Sequence, residues 1–116
     1  LYLDAEIRLF DLNRRFMEFL KKLSPYGPGN MRPKFFVTNA NVIGNPKVIG
    51  NGDHIRFQVK QKHSIIDVVG FGLAHHYQDL ILGVPIDIAC IVETNVWRGK
   101  ESIQLNARDI RLSSTE

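Results

Sequence analysis

Leu1 to Leu9 alternates with a period of two: Leu1, Leu3, Ala5, Ile7 and Leu9 fall on one side, Tyr2, Asp4, Glu6 and Arg8 on the other. That is the pattern of a half-buried strand. At Asp11 the period lengthens. Leu12, Phe16, Phe19, Leu20 and Leu23 follow the helical i, i+4, i+7, i+8, i+11 spacing, with Asp11 set to cap the N-terminus and Lys21 and Lys22 in the last turn. The helix stops at Ser24, because a residue before proline is pushed out of the α region. Pro25-Tyr26-Gly27-Pro28-Gly29-Asn30, with Pro33 close behind, predicts a rigid turn. The chain divides there into a strand-helix lead, 1–32, and a second unit, 33–116.

From Lys34 onward the pattern is almost entirely that of strands. Phe35–Gly44 is the first, ended by a Gly44-Asn45-Pro46 turn, and Lys47–Asp53 reads as a Gly/Asn-rich loop with room for a short extended stretch. His54–Gln61 alternates, with Ile55, Phe57 and Val59 inward and His54, Arg56, Gln58 and Lys60 outward. Lys62-His63 makes a turn into the Ile/Val-rich run Ser64–Phe71. Ala74–Leu82 reads as a short helix ended by Gly83. Ile86–Val92 and Ile103–Leu112 are the last two strands. The expected fold is mostly β: a five-stranded Greek-key barrel of the oligonucleotide/oligosaccharide-binding (OB) type, with a short helix between strands three and four, preceded by an N-terminal strand and α-helix. Periodicity alone does not separate that from another small β-barrel.

Composition narrows the function classes. The 116 residues fit one domain that buries roughly two-thirds of its unfolded surface. At 44% hydrophobic and 23% charged, the chain is ordinary globular material rather than a disordered one. No apolar run approaches the roughly 20 residues of a membrane span. Asp4 and Glu6 break the only candidate signal segment. The start at Leu1 suggests a piece of a longer protein. Cys90 is the single cysteine, so there is no internal disulfide framework and no cysteine-rich zinc site.

Little supports catalysis. His75 and His76 are adjacent, so on a helix they point about 100° apart and do not share a face as an i, i+4 pair would. Cys90 sits inside Ile88-Ala89-Cys90-Ile91-Val92, the setting of a core hydrophobe. Gly27-Pro28-Gly29 follows a helix and precedes a strand, the reverse of a phosphate loop. No catalytic residue, metal ligand or cofactor is assigned to the chain. Nucleic-acid binding fits better, although the net charge is only +3. An OB barrel holds single strands with cations for phosphates and aromatic faces for bases. Arg56 and Lys60 share the polar face of the second strand, Lys62 and His63 the turn after it, and Trp97, Arg98 and Lys100 the connection between the fourth and fifth strands. Each of these also serves as ordinary soluble surface. Trp97 either stacks a base or caps the barrel, and Phe35, Phe36 and Phe71 are expected in the core.

The order of these elements resembles the C-terminal part of the RecJ single-strand-specific exonuclease family. Asp4-Ala5-Glu6 precedes a helix ending Leu20-Lys21-Lys22-Leu23, then comes the Pro25–Asn30 turn with Pro33 and Phe35. His54-Ile55-Arg56-Phe57, Val69-Gly70-Phe71, Asn95-Val96-Trp97-Arg98-Gly99 and Gln104-Leu105 follow in order. The resemblance implies a non-catalytic OB domain that guides single-stranded DNA to a cytoplasmic 5′→3′ nuclease of recombination and repair. That nuclease would use Mg2+ or Mn2+ held by N-terminal domains outside this chain. Ala74-His75-His76 echoes an Asp-His-His motif of the family, but Ala74 breaks it and no metal role is carried over. The implied partners are single-stranded DNA, the nuclease domains of the same parent and a single-strand-binding or repair protein. The Leu1–Leu9 strand would pair with the preceding domain, so that in isolation its apolar side drives dimerisation or non-native packing. The competing class is a structural or docking domain that braces the nuclease core with little DNA affinity of its own.

Overall fold

The computed structural model describes residues 4–23 and 32–114. A short strand β1 (Asp4–Glu6) leads through a 3-10 turn, Leu9–Asp11, into helix α1 (Arg14–Leu23). Then come β2 (Lys34–Ile49), β3 (His54–Gln61), β4 (Ser64–Gly70), helix α2 (Tyr77–Leu80) behind a 3-10 turn, β5 (Ile86–Trp97) and β6 (Lys100–Leu112). Strands β2 to β6 close a barrel: β2 pairs with β3, β3 with β4, β4 in parallel with β6, β6 with β5, and β5 back with β2. That circuit, with the helix between its third and fourth strands, is the OB topology. The predicted Pro25–Asn30 turn and Leu1–Leu3 lie outside the described residues.

Closure depends on β2, which is longer than the pattern suggested. Its first half pairs with β5 (Phe35 opposite Cys90) and its second half with β3 (Val48 opposite Ile55). Two irregularities bend it between these partners, one between Val37 and Ala40, where Asn39 has φ +53°, and one between Ile43 and Lys47. Gly44-Asn45-Pro46 therefore forms a bulge inside the strand rather than the predicted turn, and Lys47 to Ile49 form the short extended stretch of the 47–53 segment, paired with β3. Bulges are what let one strand turn a barrel corner, and they tolerate the proline that a regular ladder rejects.

The predicted inward positions of β3, Ile55, Phe57 and Val59, are all buried. They meet Val68, Ile86, Ile88, Cys90, Val92, Leu105 and Ala107 in one core. Burial pushes the Cys90 thiol up to about 12, so it stays protonated as a core hydrophobe. Leu80 of α2 plugs the barrel near the 50–53 loop, where Ala74 N–H donates to Asp53 O. The N-terminal lead closes the other end. Leu9, Met17 and Leu20 are buried, Phe16 packs edge-on against Phe35 at 5.3 Å, and Leu9 N–H donates to Gln61 Oε1 at 2.8 Å.

The lead differs from its sequence reading in three ways. Asn13, not Asp11, caps α1: its Oδ1 accepts from Phe16 N–H at 2.9 Å, while Asp11 accepts from Arg8 N–H. Phe19 is half exposed because it lies about 100° round the helix from Leu20, off the stripe that faces the barrel. The N-terminal strand adds to β2 in parallel, Ala5 opposite Phe35, and Ile7 and Leu9 enter the domain's own core, so neither is free to drive dimerisation.

Candidate nucleic-acid interface

Strand directions bring most of the predicted residues to one end of the barrel. β4 and β6 run parallel, so the β3–β4 turn (Lys62-His63) and the β5–β6 turn (Arg98-Gly99) emerge at the same end. The latter turn is shorter than predicted, because β5 extends to Trp97 and β6 starts at Lys100, leaving only two residues between them. Both have positive φ, +51° at Arg98 and +78° at Gly99, as a type I′ hairpin turn needs. Lys62 also has φ +53°. Two long cations thus hold backbone conformations that L-residues adopt at a penalty, each at a hairpin tip.

Trp97 is 69% exposed, so it does not cap the barrel. Arg98 Cζ lies 5.4 Å from its ring centroid, within cation–π range. Trp97 opposes Lys100, on the same outward side as Asn95 opposite Ser102 and Glu93 opposite Gln104. Gln104 in turn opposes Asp67 of β4, and Asp67 opposes Gln58 of β3. One outer surface therefore runs from the Trp97 hairpin across β6 and β4 to β3. Arg56, Gln58 and Lys60 stand exposed along β3, with the two cations about 13 Å apart.

Sequence reading missed several groups on this surface. Lys47 sits directly opposite Arg56, a like-charge cross-strand pair that is unfavourable until an anion lies between. Its placement in a supposed loop hid it. Phe71 is 58% exposed rather than core, edge-on to His54 at 5.3 Å, and His54 Nδ1 accepts from Gly72 N–H at 2.9 Å. Phe36 is also partly exposed, on the far side among β1 and β5 residues, while Phe35 is buried as expected. Phe10 of the 3-10 turn and Ile65 of β4 project beside Gln58 and Asp67. Phe10 directly follows Leu9 in the chain, and that break in alternation was its only signal.

Lys/Arg ion pairs among the described residues involve Lys21, Arg32 and Arg111, each within 4.0 Å of a carboxylate: Glu101, Glu93 and Asp87. Among the described residues, Lys47, Arg56, Lys60, Lys62, Arg98 and Lys100 have no carboxylate partner. His75 is exposed and His76 half-buried between Asp79 (3.7 Å) and Asp109 (3.8 Å). No three His, Cys, Asp or Glu side chains among the described residues converge to hold a metal. No helix among them is long and apolar enough to cross a membrane.

Comparison with known proteins agrees with this topology. Residues 3–109 match the family model of the RecJ OB domain. The single-stranded-DNA-specific exonuclease RecJ of Bacillus subtilis is 28% identical over 94 residues, which are 81% of this chain and 12% of that protein. The crystal structure of RecJ with Mg2+ from Thermus thermophilus superposes with a TM-score of 0.60 at 24% identity, covering 87% of this chain and 15% of that one. The second single-stranded DNA binding protein of Mycobacterium smegmatis gives 0.58 at 23% identity, over 69% of this chain and 84% of its own. These two likenesses speak for the fold. The chain spans about an eighth of the curated RecJ protein it matches. With a match that runs from the N-terminal strand into β6, the chain belongs to the RecJ OB domain family.

Proposed function

We propose that this domain binds single-stranded DNA without catalysing its cleavage, and guides it for a RecJ-like 5′→3′ exonuclease of recombination and repair. The observation that carries the reading is the outer surface of β3, β4, β6 and β5, where exposed Trp97 and cations without carboxylate partners share one continuous face. Arg56, Lys60, Lys62, Arg98 and Lys100 hold phosphates, His63 lies beside them, and Trp97 stacks a base. The metal chemistry belongs to other domains of the parent.

Trp97 is the only tryptophan, so the domain carries its own probe. Titration with a dT oligomer quenches its fluorescence if a base stacks on the ring, and the same oligomer as duplex does so far less. Unchanged emission up to saturating oligomer, with no change in anisotropy of a labelled strand, refutes the reading.

A second observation favours an additional docking role. Ile81, Leu82, Val84 and Leu112 are exposed at the end of the barrel opposite the hairpin tips, where Ser113 N–H donates to Pro85 O. An apolar cluster of this kind suits the nuclease domains of the parent. Leu82→Asp then weakens association with those domains while dT binding by the isolated domain stays as it was.

A further inference from the structure

Beside Gln58 and Asp67 of the outer surface lies a groove of about 560 Å3, within the usual range for small-molecule sites. It is walled by Phe10, 60% exposed, and Ile65, 52% exposed, two large apolar groups that water would rather see covered. Gln58, Asp67, Ser64 and Ser102 line it as well. Gln58 Nε2 donates to Asp67 Oδ1 at 2.9 Å, which fixes both groups side by side. The second Asp67 oxygen accepts no hydrogen bond from a described residue, and the amide keeps one N–H to give.

Charge decides which part of a strand enters. Asp67 and Glu101 line the groove and repel phosphate. Lys60 lies directly opposite Ile65 at the edge, Arg56 two residues beyond Gln58, and Lys100 two residues before Ser102. The backbone is therefore drawn to the margins and a base is turned inward, edge first against the carboxylate. We propose that this groove holds one nucleobase between Phe10 and Ile65 and reads its Watson–Crick edge through Asp67 and Gln58, selecting guanine. This rests on the single-strand reading above and deepens it.

The selection follows from donor and acceptor order. Guanine offers two adjacent donors, N1–H and the N2 amine, to the carboxylate, and its O6 accepts the remaining amide N–H of Gln58. Thymine presents two carbonyl oxygens around a single N–H, so the carboxylate meets at least one acceptor and loses a bond. Cytosine and adenine each offer one amine beside an acceptor nitrogen and fall between.

The test compares anisotropy of a labelled dT oligomer of about 15 nucleotides, the upper range for one OB barrel, with oligomers carrying one central dG, dC or dA. The dG oligomer should bind about tenfold more tightly than all-dT, with dC and dA between. Asp67→Asn should erase most of that preference, bringing the affinities for the dG and dT oligomers together. Phe10→Ala should weaken binding to every oligomer. Equal affinity for dG and dT oligomers, or a preference that survives Asp67→Asn, overturns the base pocket and leaves single-strand binding standing. Absence of binding to any oligomer overturns both.

Discussion

Raising salt should weaken dT binding along a slope that counts the cations assigned to phosphates. Each phosphate neutralised on a single strand contributes about −0.7 to the slope of log affinity against log salt. Arg56, Lys60, Lys62, Arg98 and Lys100 together give about −3.5, so going from about 50 to about 200 mM salt costs on the order of 100-fold in affinity. Arg56→Ala or Lys60→Ala should each flatten the slope by about 0.7. Trp97→Ala should act differently. Stacking on an aromatic face is worth about 1–3 kcal/mol per base and releases no ions, so the whole line drops with its slope intact. Arg111→Ala, which removes a cation bonded to Asp87 rather than one facing the strand, should leave the slope alone. The assay is anisotropy of a labelled dT oligomer at four or more salt concentrations. A wild-type slope shallower than about −1, or variant lines parallel to wild type when Arg56 or Lys60 is removed, would refute the phosphate assignment.

Three further outcomes can be checked by denaturation. Arg98→Asn keeps a residue that tolerates positive φ and should raise stability by about 0.5 kcal/mol in urea, after the exposed cation–π contact is lost, while dT affinity falls. Burial alone would raise the pKa of Asp87, but hydrogen bonds from Ser113 Oγ, Asn39 N–H and Arg111 more than reverse this, holding it below its ordinary 3.8. Its contribution is therefore present above the unfolded value and lost as pH falls through the folded one. Asp87→Asn should cost about 1–2 kcal/mol at pH 7 and flatten the stability profile below about pH 4. The raised thiol of Cys90 has the opposite sense. It favours folding below about pH 8.5 and loses that contribution as pH rises and the unfolded thiol ionises, so Cys90→Ala should flatten the alkaline limb between pH 8.5 and about 12.

The fold was legible where a strand has one wet face and one dry face. His54–Gln61 shows this best: its inward and outward sets stand where alternation put them, and so do Arg56 and Lys60. β2 was not legible, because Gly44-Asn45-Pro46 has the same residues in a bulge as in a turn, and only pairing with β3 distinguishes them. Lys47 was lost with it. The β5–β6 hairpin was cut short for a related reason. Beyond Val92 and Ile103 both faces are solvated, so Thr94 to Ser102 show no alternation to read. Phe10, Gln58 and Asp67 come from three separate elements, and only the register of β3 with β4 and the packing of the 3-10 turn bring them together.

The route by which β2 meets its two barrel partners also sets the order in which the barrel can assemble. The β3–β4 and β5–β6 hairpins join neighbours through two-residue turns and are the fast, local events. Sealing the cylinder requires Phe35 to find Cys90 and Asp67 to find Gln104, pairings distant along the chain. Those closures carry the loop entropy and govern the folding rate. On a ribosome, β2 to β4 emerge as an open sheet whose apolar inner face waits for β6 to be made. Folding of this domain is accordingly a late event in its own synthesis, and the interval before β6 appears is when the nascent chain is most exposed to aggregation.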